Sequence, residues 1–453
     1  MSHGFSSVDE VLILLTYANL SSKEVDIVKK GLLENFRWDE FVRKIKHNDI
    51  GPLIHHTLMK NELLDLLPPE IQHYLSEQRE KILEINSGRL KVAIDIFSKF
   101  ELSEVKVIVL KGVLFGETIY KDPGYKKMND LDILVRSKDI EKVRKIYGEV
   151  GLVPLALLEG DDQDFDEKKS YHLPAFISRD LKFVVGTHWG LTSPKLGFNF
   201  DYEEIWKRAV SITISGQRAL ALSPEDNLHH LCVHFHYYKT GLKEFADLAN
   251  LLRETSKFSW QTFGDQIEKA QSYSAVFRPL SILESIYNIG IPKDLLRICR
   301  DKTDSFTIRD TERLGSRKDL ILLSRSTYSS QIEKAYLAFS FESTFRKKLP
   351  WFFLFWKRLL MPPRQVLYST NACNPKEKSL FLLYLINLWR TAREVGKGYG
   401  IIVFGFLMLK SAWELISSLK SIFSNESGGK MGELRNALGQ DEEKILKLMN
   451  SFE

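Results

Sequence analysis

The chain has 453 residues, which is more than one hydrophobic core normally organises, so two or three domains are expected. Its formal net charge of +5 comes from 64 basic and 59 acidic residues, a balance too even to indicate a nucleic-acid-binding protein. The three cysteines lie far apart and form no CxxC pair, which favours a reducing compartment without a structural zinc site. Because the N-terminus also shows no signal-peptide pattern, we expect a cytoplasmic protein.

The first part of the chain, residues 1–100, is predicted to be an N-terminal helical region. From residue 8 onward apolar residues recur at helical spacing, and Ser21 and Ser22 are candidate caps of a second helix. The pattern contains no recognisable catalytic motif. Its contribution to function is therefore not predicted.

The next part, residues 101–222, is predicted to be a small α/β core. The run VKVIVLKG at 105–112 indicates a buried strand that ends at a glycine and leads into a helix. LDILV predicts a second strand, and a helix is expected over 138–151. The run LKFVVGTHW at 181–189 predicts a third strand. We expect the three strands to lie in one mixed sheet.

Helical patterns return at SPED, where Ser223 is a candidate cap with proline at the first helical position. We predict a helical domain over residues 223–300 and a C-terminal helical region over 301–453, with a linker near 424–430. The apolar stretches near the C-terminus are too short to span a bilayer. The predicted fold class is α+β, a small mixed-sheet core flanked by N-terminal and C-terminal helical regions.

Asp130 and Asp132 are the strongest candidates for chemistry. They lie two residues apart on a predicted strand, so their side chains project from the same face. Two carboxylates on one face repel each other unless a cation lies between them, and Mg²⁺ or Mn²⁺ would relieve that repulsion. Pairs of this spacing also arise by chance in a chain with 59 acidic residues. The apolar residues around this pair and the strand-glycine-helix unit before it make the pair more specific.

These residues belong to a longer segment, LKGVLFGETIYKDPGYKKMNDLDILV, which resembles the uncharacterised bacterial nucleotidyltransferase family of the polymerase-β superfamily. The later segments SYHLPAF, VVGTHWGL, LSPEDNLHHLCVHF and LKEFADLANLL are similar to that family in order and spacing. The resemblance covers roughly residues 104–252. It implies a nucleotidyltransferase that holds Mg²⁺ or Mn²⁺ at Asp130 and Asp132.

The resemblance also assigns residues to the nucleotide. It implies that Gly112 opens a helix facing the triphosphate, and that Lys111 adds a positive charge beside it. A glycine and a helix N-terminus suit phosphate oxygens physically. Lys126 and Lys127 are further candidates for phosphate contacts, and the alternative for both is a solvated turn.

One position departs from the family pattern. The family is expected to have a third acid two residues before the histidine of HW, and this chain has Gly186 there. The missing group would bind metal and accept the proton of the attacking hydroxyl. His188, Asp180 and Glu117 are candidates to compensate. The alternative is a catalytically silent binding or scaffold protein that keeps the fold.

Histidines are the remaining candidates. His188 is a candidate catalytic residue or a packed, hydrogen-bonded histidine, and His172 lies in a segment predicted to fold back toward the same site. Asp226, His230 and His234 share one helical face, which permits metal binding, although a hydrogen-bonded histidine layer between helices is favoured. HLCVH lacks the glutamate of HExxH, so a metalloprotease is excluded.

The predicted activity is transfer of an NMP from an NTP to a hydroxyl or phosphate acceptor. The acceptor is a small molecule, a sugar phosphate or a protein, and the sequence identifies neither it nor the base of the NTP. The segment 345–364 interleaves aromatic and basic residues, a composition found at membrane interfaces, although helical core is the favoured interpretation. Nucleic acid is a disfavoured partner because the charge is nearly balanced.

Overall fold

The computed structural model describes residues 7–128, 130–154, 170–178, 183–194, 197–237, 241–303, 307–308, 311–312 and 384. The elements below all belong to one compact unit, Met1–Arg325. Its first part is helical, as predicted. The helices are α1 (Ser7–Leu14), α2 (Ser22–Leu33), α3 (Trp38–Asn48), α4 (Gly51–Lys60) and α5 (Pro69–Leu102), with a 3-10 turn at Leu64–Leu66.

Two local features explain where these helices begin. Ser21 caps α2 in a full capping box, because its hydroxyl accepts from the Glu24 amide and the Glu24 carboxylate accepts from the Ser21 amide. The 34-residue helix α5 has Pro69 at its first position, where a missing amide hydrogen costs nothing. It ends only five residues before the first strand, so α5 lies close to the sheet.

One seven-stranded mixed sheet forms the centre of the described unit. Its order is β3-β4-β5-β2-β1-β7-β6, and β2 pairs antiparallel with β1 and parallel with β5. The three predicted strands, which became β1, β2 and β5, therefore share one sheet as expected. The strands are β1 (Val107–Val109), β2 (Leu131–Val135), β3 (Leu152–Pro154), β4 (Phe176–Ser178), β5 (Val184–His188), β6 (Val210–Ile214) and β7 (Gln217–Ala221).

The central strands are buried on both faces, which is why they are almost continuously apolar. Val109, Ile133 and Val185 point into the main core together with α5. Ile108 and Leu134 point to the opposite face, where they join a smaller apolar cluster. Alternation along β2 puts Asp132 on this second, more thinly covered face.

Further helices connect and follow the strands. The prediction of a helix after β2 is confirmed by α7, and Ser223 caps α9 as expected, since its hydroxyl accepts from the Asp226 amide at 3.1 Å. The helices are α6 (Lys111–Phe115), which continues as a π-helical turn at Gly116–Tyr120, α7 (Ile140–Glu149), α8 (Tyr202–Arg208), α9 (Pro224–Tyr237), α10 (Leu242–Glu254), α11 (Trp260–Ala270), α12 (Tyr273–Ser285) and α13 (Lys293–Asp301).

The α+β fold class is confirmed by this sheet and the helices on either side of it. Four short strands, β3, β4, β6 and β7, were not predicted. The subdivision at residues 100, 222 and 300 stays a prediction, as does the linker near 424–430, which lies outside the described residues together with the aromatic and basic segment 345–364. Within the described residues no helix is both long and apolar enough to cross a membrane.

Candidate active site

Asp132 is the centre of the site. It lies on the central strand β2 and is 5% exposed. Both carboxylate oxygens are engaged: Oδ2 lies 2.8 Å from the Lys111 ammonium, and Oδ1 lies 2.9 Å from Nε2 of His188. Lys111 is the first residue of α6, just after β1, and His188 is the last residue of β5, so the partners of Asp132 come from either side of β2. The three side chains form an anion held between two groups that can carry positive charge.

These partners determine the charge state of Asp132. Burial alone would raise the pKa of this carboxyl, but the Lys111 charge and the His188 hydrogen bond lower the pKa well below its usual range. Asp132 is therefore ionised at neutral pH. An ionised carboxylate in a nearly dry position must be neutralised, and in this structure the Lys111 ammonium supplies the opposite charge while His188 adds a hydrogen-bond contact.

Asp130 lies at the entrance to the same strand. It directly precedes β2 and is exposed, whereas Asp132 is enclosed. The charge of Asp130 acts on Arg89, a buried residue of α5, where it opposes the lowering of the arginine pKa caused by burial. The sequence does not single out Arg89. It lies on α5, far before Asp130 in the chain, and the helical pattern there fits any long basic side chain whose stem packs against the core.

The structure shows why a glycine stands where the third acid was expected. Gly186 is the direct neighbour of Asp132 on β5, and the pairing puts both positions on the same face of the sheet. A Cβ atom at residue 186 would lie 2.7 Å from Oδ1 of Asp132 and 3.4 Å from Nε2 of His188. Any side chain there would displace the Asp132 carboxylate. Glycine leaves the space in which Asp132 and His188 meet.

The other proposed substitutes for that acid are placed less closely. The Glu117 carboxylate accepts a hydrogen bond from Ser215 at the turn between β6 and β7. Asp180 lies outside the described residues. Of the two candidates that the structure describes, His188 is the one within hydrogen-bond distance of Asp132.

The turn from β1 into α6 positions Lys111. This lysine has a φ of 53°, in the left-handed region that side chains with a Cβ atom adopt at a cost of about 1 kcal/mol. Its neighbour Gly112 has an open surrounding, because a Cβ atom there would touch only Met128 at 3.8 Å. The Gly112 carbonyl accepts from the buried Tyr125 hydroxyl at 3.1 Å. The strain is therefore at the charged residue and not at the glycine.

The loop before β2 is fastened to α5 by one buried asparagine. The Asn86 side chain donates to the carbonyls of Pro123 (2.6 Å) and Lys126 (2.8 Å), and it accepts from the Met128 amide at 3.1 Å. Asp122, in the Tyr-x-Asp-Pro-Gly motif of this loop, adds an ion pair with Arg79 of the same helix at 3.1 Å. These contacts hold the residues that lead into Asp130.

The two lysines of the loop have different surroundings. Lys126 forms a short ion pair with Asp247 of α10 and is 16% exposed in its side chain, so it would have to leave Asp247 to reach a phosphate. Lys127 is half-buried, and burial and the nearby Arg89 charge lower its pKa. Lys127 and Arg89 thus form a basic pair on the Asp130 side of the site.

The segment containing His172 folds back onto β5, as expected. His172 and His188 form an isolated antiparallel bridge, and their ring centres are 5.6 Å apart. Nδ1 of His172 lies 2.8 Å from the Leu173 carbonyl oxygen, and burial lowers the pKa of His172. A neutral His172 ring therefore lies beside His188.

The helical face with Asp226 and His230 does not form the metal site that its spacing permits. Both Asp226 oxygens accept from the Arg208 guanidinium at 2.8 Å, and one of them also accepts from Gln266 at 3.0 Å. The hydrogen-bonded histidine between helices is His229, whose Nε2 lies 2.6 Å from the Ser272 hydroxyl. Among the described residues His230 has no hydrogen-bond partner, so the expected hydrogen-bonded layer does not include that residue.

A central strand that carries one buried acid and is directly preceded by an exposed one, beside a lysine-bearing turn, is suited to a metal ion and a polyphosphate. Residues 34–288 match the uncharacterised nucleotidyltransferase family, which is more than half of the 453 residues, and the chain belongs to that family. The match supports nucleotidyl-transfer activity, and it extends the resemblance seen at 104–252 to helices α3 to α12. No curated protein and no solved structure matches the chain.

Proposed function

We propose that this chain is a metal-dependent nucleotidyltransferase that moves an NMP from an NTP to a hydroxyl or phosphate acceptor. The Asp132 centre carries this proposal. Its carboxylate is ionised and nearly buried, yet its partners are a flexible ammonium and an imidazole, which a metal-nucleotide complex can replace. Family membership supplies the reaction class.

The donor set fits one hard cation that is completed by the substrate. The described residues contain no cluster of three His, Cys, Asp or Glu side chains arranged to hold a metal. Mg²⁺ is commonly held by one or two carboxylates together with substrate phosphates and water, and Asp130 with Asp132 meets that requirement. When bound there with an NTP, Mg²⁺ or Mn²⁺ would neutralise phosphate charge and polarise the phosphorus that is attacked.

Lys111 connects nucleotide binding with metal binding. Without nucleotide its ammonium neutralises Asp132. A triphosphate offers the same ammonium a stronger partner, and a four-carbon stem lets it move to the phosphate while Asp132 becomes available to the metal. Gly112, next to it, leaves room for a phosphate oxygen because its Cβ position is nearly empty. We assign Lys111 and Gly112 to nucleotide binding, with Lys126 and Lys127 as outer contacts.

His188 is assigned to the place of the absent acid. It contacts Asp132 on the same face of the sheet as Gly186, so it can orient the carboxylate and accept a proton near the reacting groups. Transfer would join the acceptor oxygen to the α-phosphorus and release pyrophosphate. We place this activity in the cytoplasm, with a small molecule, a sugar phosphate or a protein side chain as the acceptor.

The testing experiment incubates the full chain with each α-labelled NTP, Mg²⁺ or Mn²⁺, and cell extract. We expect a labelled product and released pyrophosphate with one of the NTPs. The double substitution Asp130→Asn with Asp132→Asn removes both carboxylates but preserves side-chain size, and calorimetry should show that it abolishes binding of the metal-NTP complex.

Two outcomes would change the assignment. Unchanged metal-NTP binding by the double variant would show that the site is elsewhere. Binding of metal-NTP by the wild-type chain without any released pyrophosphate would assign the fold to a silent binding or scaffold protein, as Gly186 suggests.

A further inference from the structure

His230 is a buried histidine without hydrogen bonds. It lies on α9 and is 3% exposed, and neither ring nitrogen has a hydrogen-bond partner among the described residues. Its neighbour His229 is equally buried but binds Ser272. Buried polar atoms in folded proteins nearly always have a partner, so a fully unpaired ring points to a partner that is bound from outside.

The ring lies next to the active site. The charges of Lys111, His188 and Asp132 all act on His230, although they belong to three different segments of the sheet. Its ring centre is also 5.8 Å from that of His234, one helical turn further along the same face. His230 thus lies within electrostatic range of Asp132 and both of its partners, and it belongs to a helix and not to the sheet.

The state of the ring restricts what it can bind. Burial, followed by the positive charge of Lys111, lowers the pKa of His230 well below its usual value, so the ring is neutral. A neutral imidazole has one N–H donor and one nitrogen lone pair. Phosphate oxygens can satisfy only the N–H group. The lone pair requires a donor, and the sugar of the NTP and a hydroxyl acceptor each carry an O–H group that can supply it.

We propose that His230 is a substrate-binding residue that accepts a hydrogen bond from a hydroxyl group of the substrate. This inference rests on the proposed function and deepens it, because it names a hydroxyl beside the phosphate-binding site. The hydroxyl belongs either to the ribose of the NTP or to the acceptor. In both cases the ring stays unpaired until substrate binds.

The test compares His230→Leu with the matched control His229→Leu. Leucine has nearly the volume of histidine and needs no hydrogen bond. For His230→Leu we expect an unchanged or higher thermal midpoint, since an unpaired polar group is removed. For His229→Leu we expect a lower midpoint, because the Ser272 hydroxyl loses its partner, and unchanged binding of Mn²⁺-NTP. His230→Asn, which retains a donor and an acceptor, should recover part of the binding.

Binding and turnover distinguish the two hydroxyls. If the ring contacts the ribose, His230→Leu should bind Mn²⁺-NTP about tenfold more weakly than the wild-type chain does, as measured by calorimetry. The substitution should not weaken binding of the analogue that lacks the contacted hydroxyl, which is the 2′-deoxy or the 3′-deoxy NTP. An acceptor contact predicts unchanged NTP affinity and about tenfold slower pyrophosphate release with cell extract. A lower midpoint of His230→Leu, with both affinity and turnover unchanged, would assign the ring to a structural water and overturn the inference.

The variant Asp132→Asn separates this inference from the proposed function. If it abolishes Mn²⁺-NTP binding while His230→Leu changes neither affinity nor turnover, only the role of His230 is wrong. If Asp132→Asn leaves Mn²⁺-NTP binding intact, the proposed function and the inference about His230 both fail.

Discussion

Asp132 and Asp226 are both buried carboxylates with basic partners, but their surroundings have opposite properties. Asp226 receives two hydrogen bonds from the Arg208 guanidinium, one from Gln266 and one from Ser223. Asp132 receives one contact from a lysine and one from a histidine. A planar guanidinium that binds both oxygens is a fixed partner, whereas an ammonium on a flexible stem can be exchanged.

This difference shows that burial and ion pairing alone do not mark a functional carboxylate. Asp226 is saturated by partners from α8, α9 and α11, and it joins those helices. Among the described residues, Asp132 has one ion-pair partner and one histidine contact and lacks a bidentate partner. The exposed Asp130 and Gly186, which has no side chain, lie beside it. Asp226 has fixed partners and a structural role, whereas the partners of Asp132 can be exchanged for a ligand.

The sharpest test removes the negative charge from Asp132 and from Asp226 in separate variants. Asp132→Asn should slow pyrophosphate release by at least about 100-fold, since even indirect partners of a metal site contribute 10- to 100-fold. Its unfolding free energy should also fall, because a carboxyl whose pKa is held well below its usual range stabilises the fold in its ionised form. Asp226→Asn should lower the unfolding free energy by about 3 kcal/mol and preserve metal-NTP binding, because it disrupts the two hydrogen bonds from Arg208 to a carboxylate that is 3% exposed. Urea unfolding and calorimetry measure these effects, and a reversed pattern would contradict the comparison.

A second structural carboxylate extends the comparison to pH. Burial would raise the pKa of Asp122, but the hydrogen bonds from His56 and the Gly124 amide, with the Arg79 charge, lower it to about 2. A carboxyl whose folded-state pKa is depressed stabilises the fold above its unfolded pKa, near 3.8, and loses that contribution as pH falls toward 2. The contribution is about 2 kcal/mol at neutral pH.

Asp122→Asn should therefore be less stable than the wild-type chain by about 2 kcal/mol at pH 7, and the gap should close between pH 4 and pH 2. Urea midpoints at several pH values test this prediction. Asp65→Asn, at an exposed position, is the control and should not reproduce the effect. A gap that does not depend on pH would show that Asp122 acts through shape and not through charge.

The smallest expected effect concerns Lys111. Lys111→Met retains most of the side chain but removes the charge, so Asp132 loses its neutralising partner. We expect about tenfold tighter binding of Mn²⁺ alone and weaker binding of free NTP, on the order of 1.4 kcal/mol in each direction. Lys99→Met removes a lysine from a surface ion pair with Glu149 at 3.1 Å and should change neither affinity. Weaker Mn²⁺ binding by Lys111→Met would exclude the exchange of partners that we propose.

The sequence was sufficient to predict the strands that hold the site. The apolar runs of β1, β2 and β5 lie in the interior of the sheet, where burial on both faces leaves an unambiguous pattern. The strands β3, β4, β6 and β7 are short, and β6 is largely exposed, so alternation over three to five residues gave no clear signal.

The site was predictable only as far as local geometry reaches. Strand alternation predicts the face of Asp132, whereas Asp130, which was expected on the same strand, directly precedes it. The nearness of His188 to Asp132 follows from the pairing of β5 with β2. The engagement of Lys126 by Asp247 and of Asp226 by Arg208 joins residues that are 121 and 18 positions apart, and no local pattern specifies such a contact. Helical spacing identified His230 as notable, but only the fold shows that its ring lacks hydrogen bonds.

The left-handed backbone at Lys111 has a consequence for selection. Glycine adopts that backbone conformation without strain, so Lys111→Gly would relieve the turn while it deletes the ammonium beside Asp132. A library sorted for heat resistance alone would accumulate glycine at this position and discard the activity. A library sorted for turnover would keep the lysine in spite of its strain. The residue found at position 111 after such an experiment would thus show whether stability or turnover was selected.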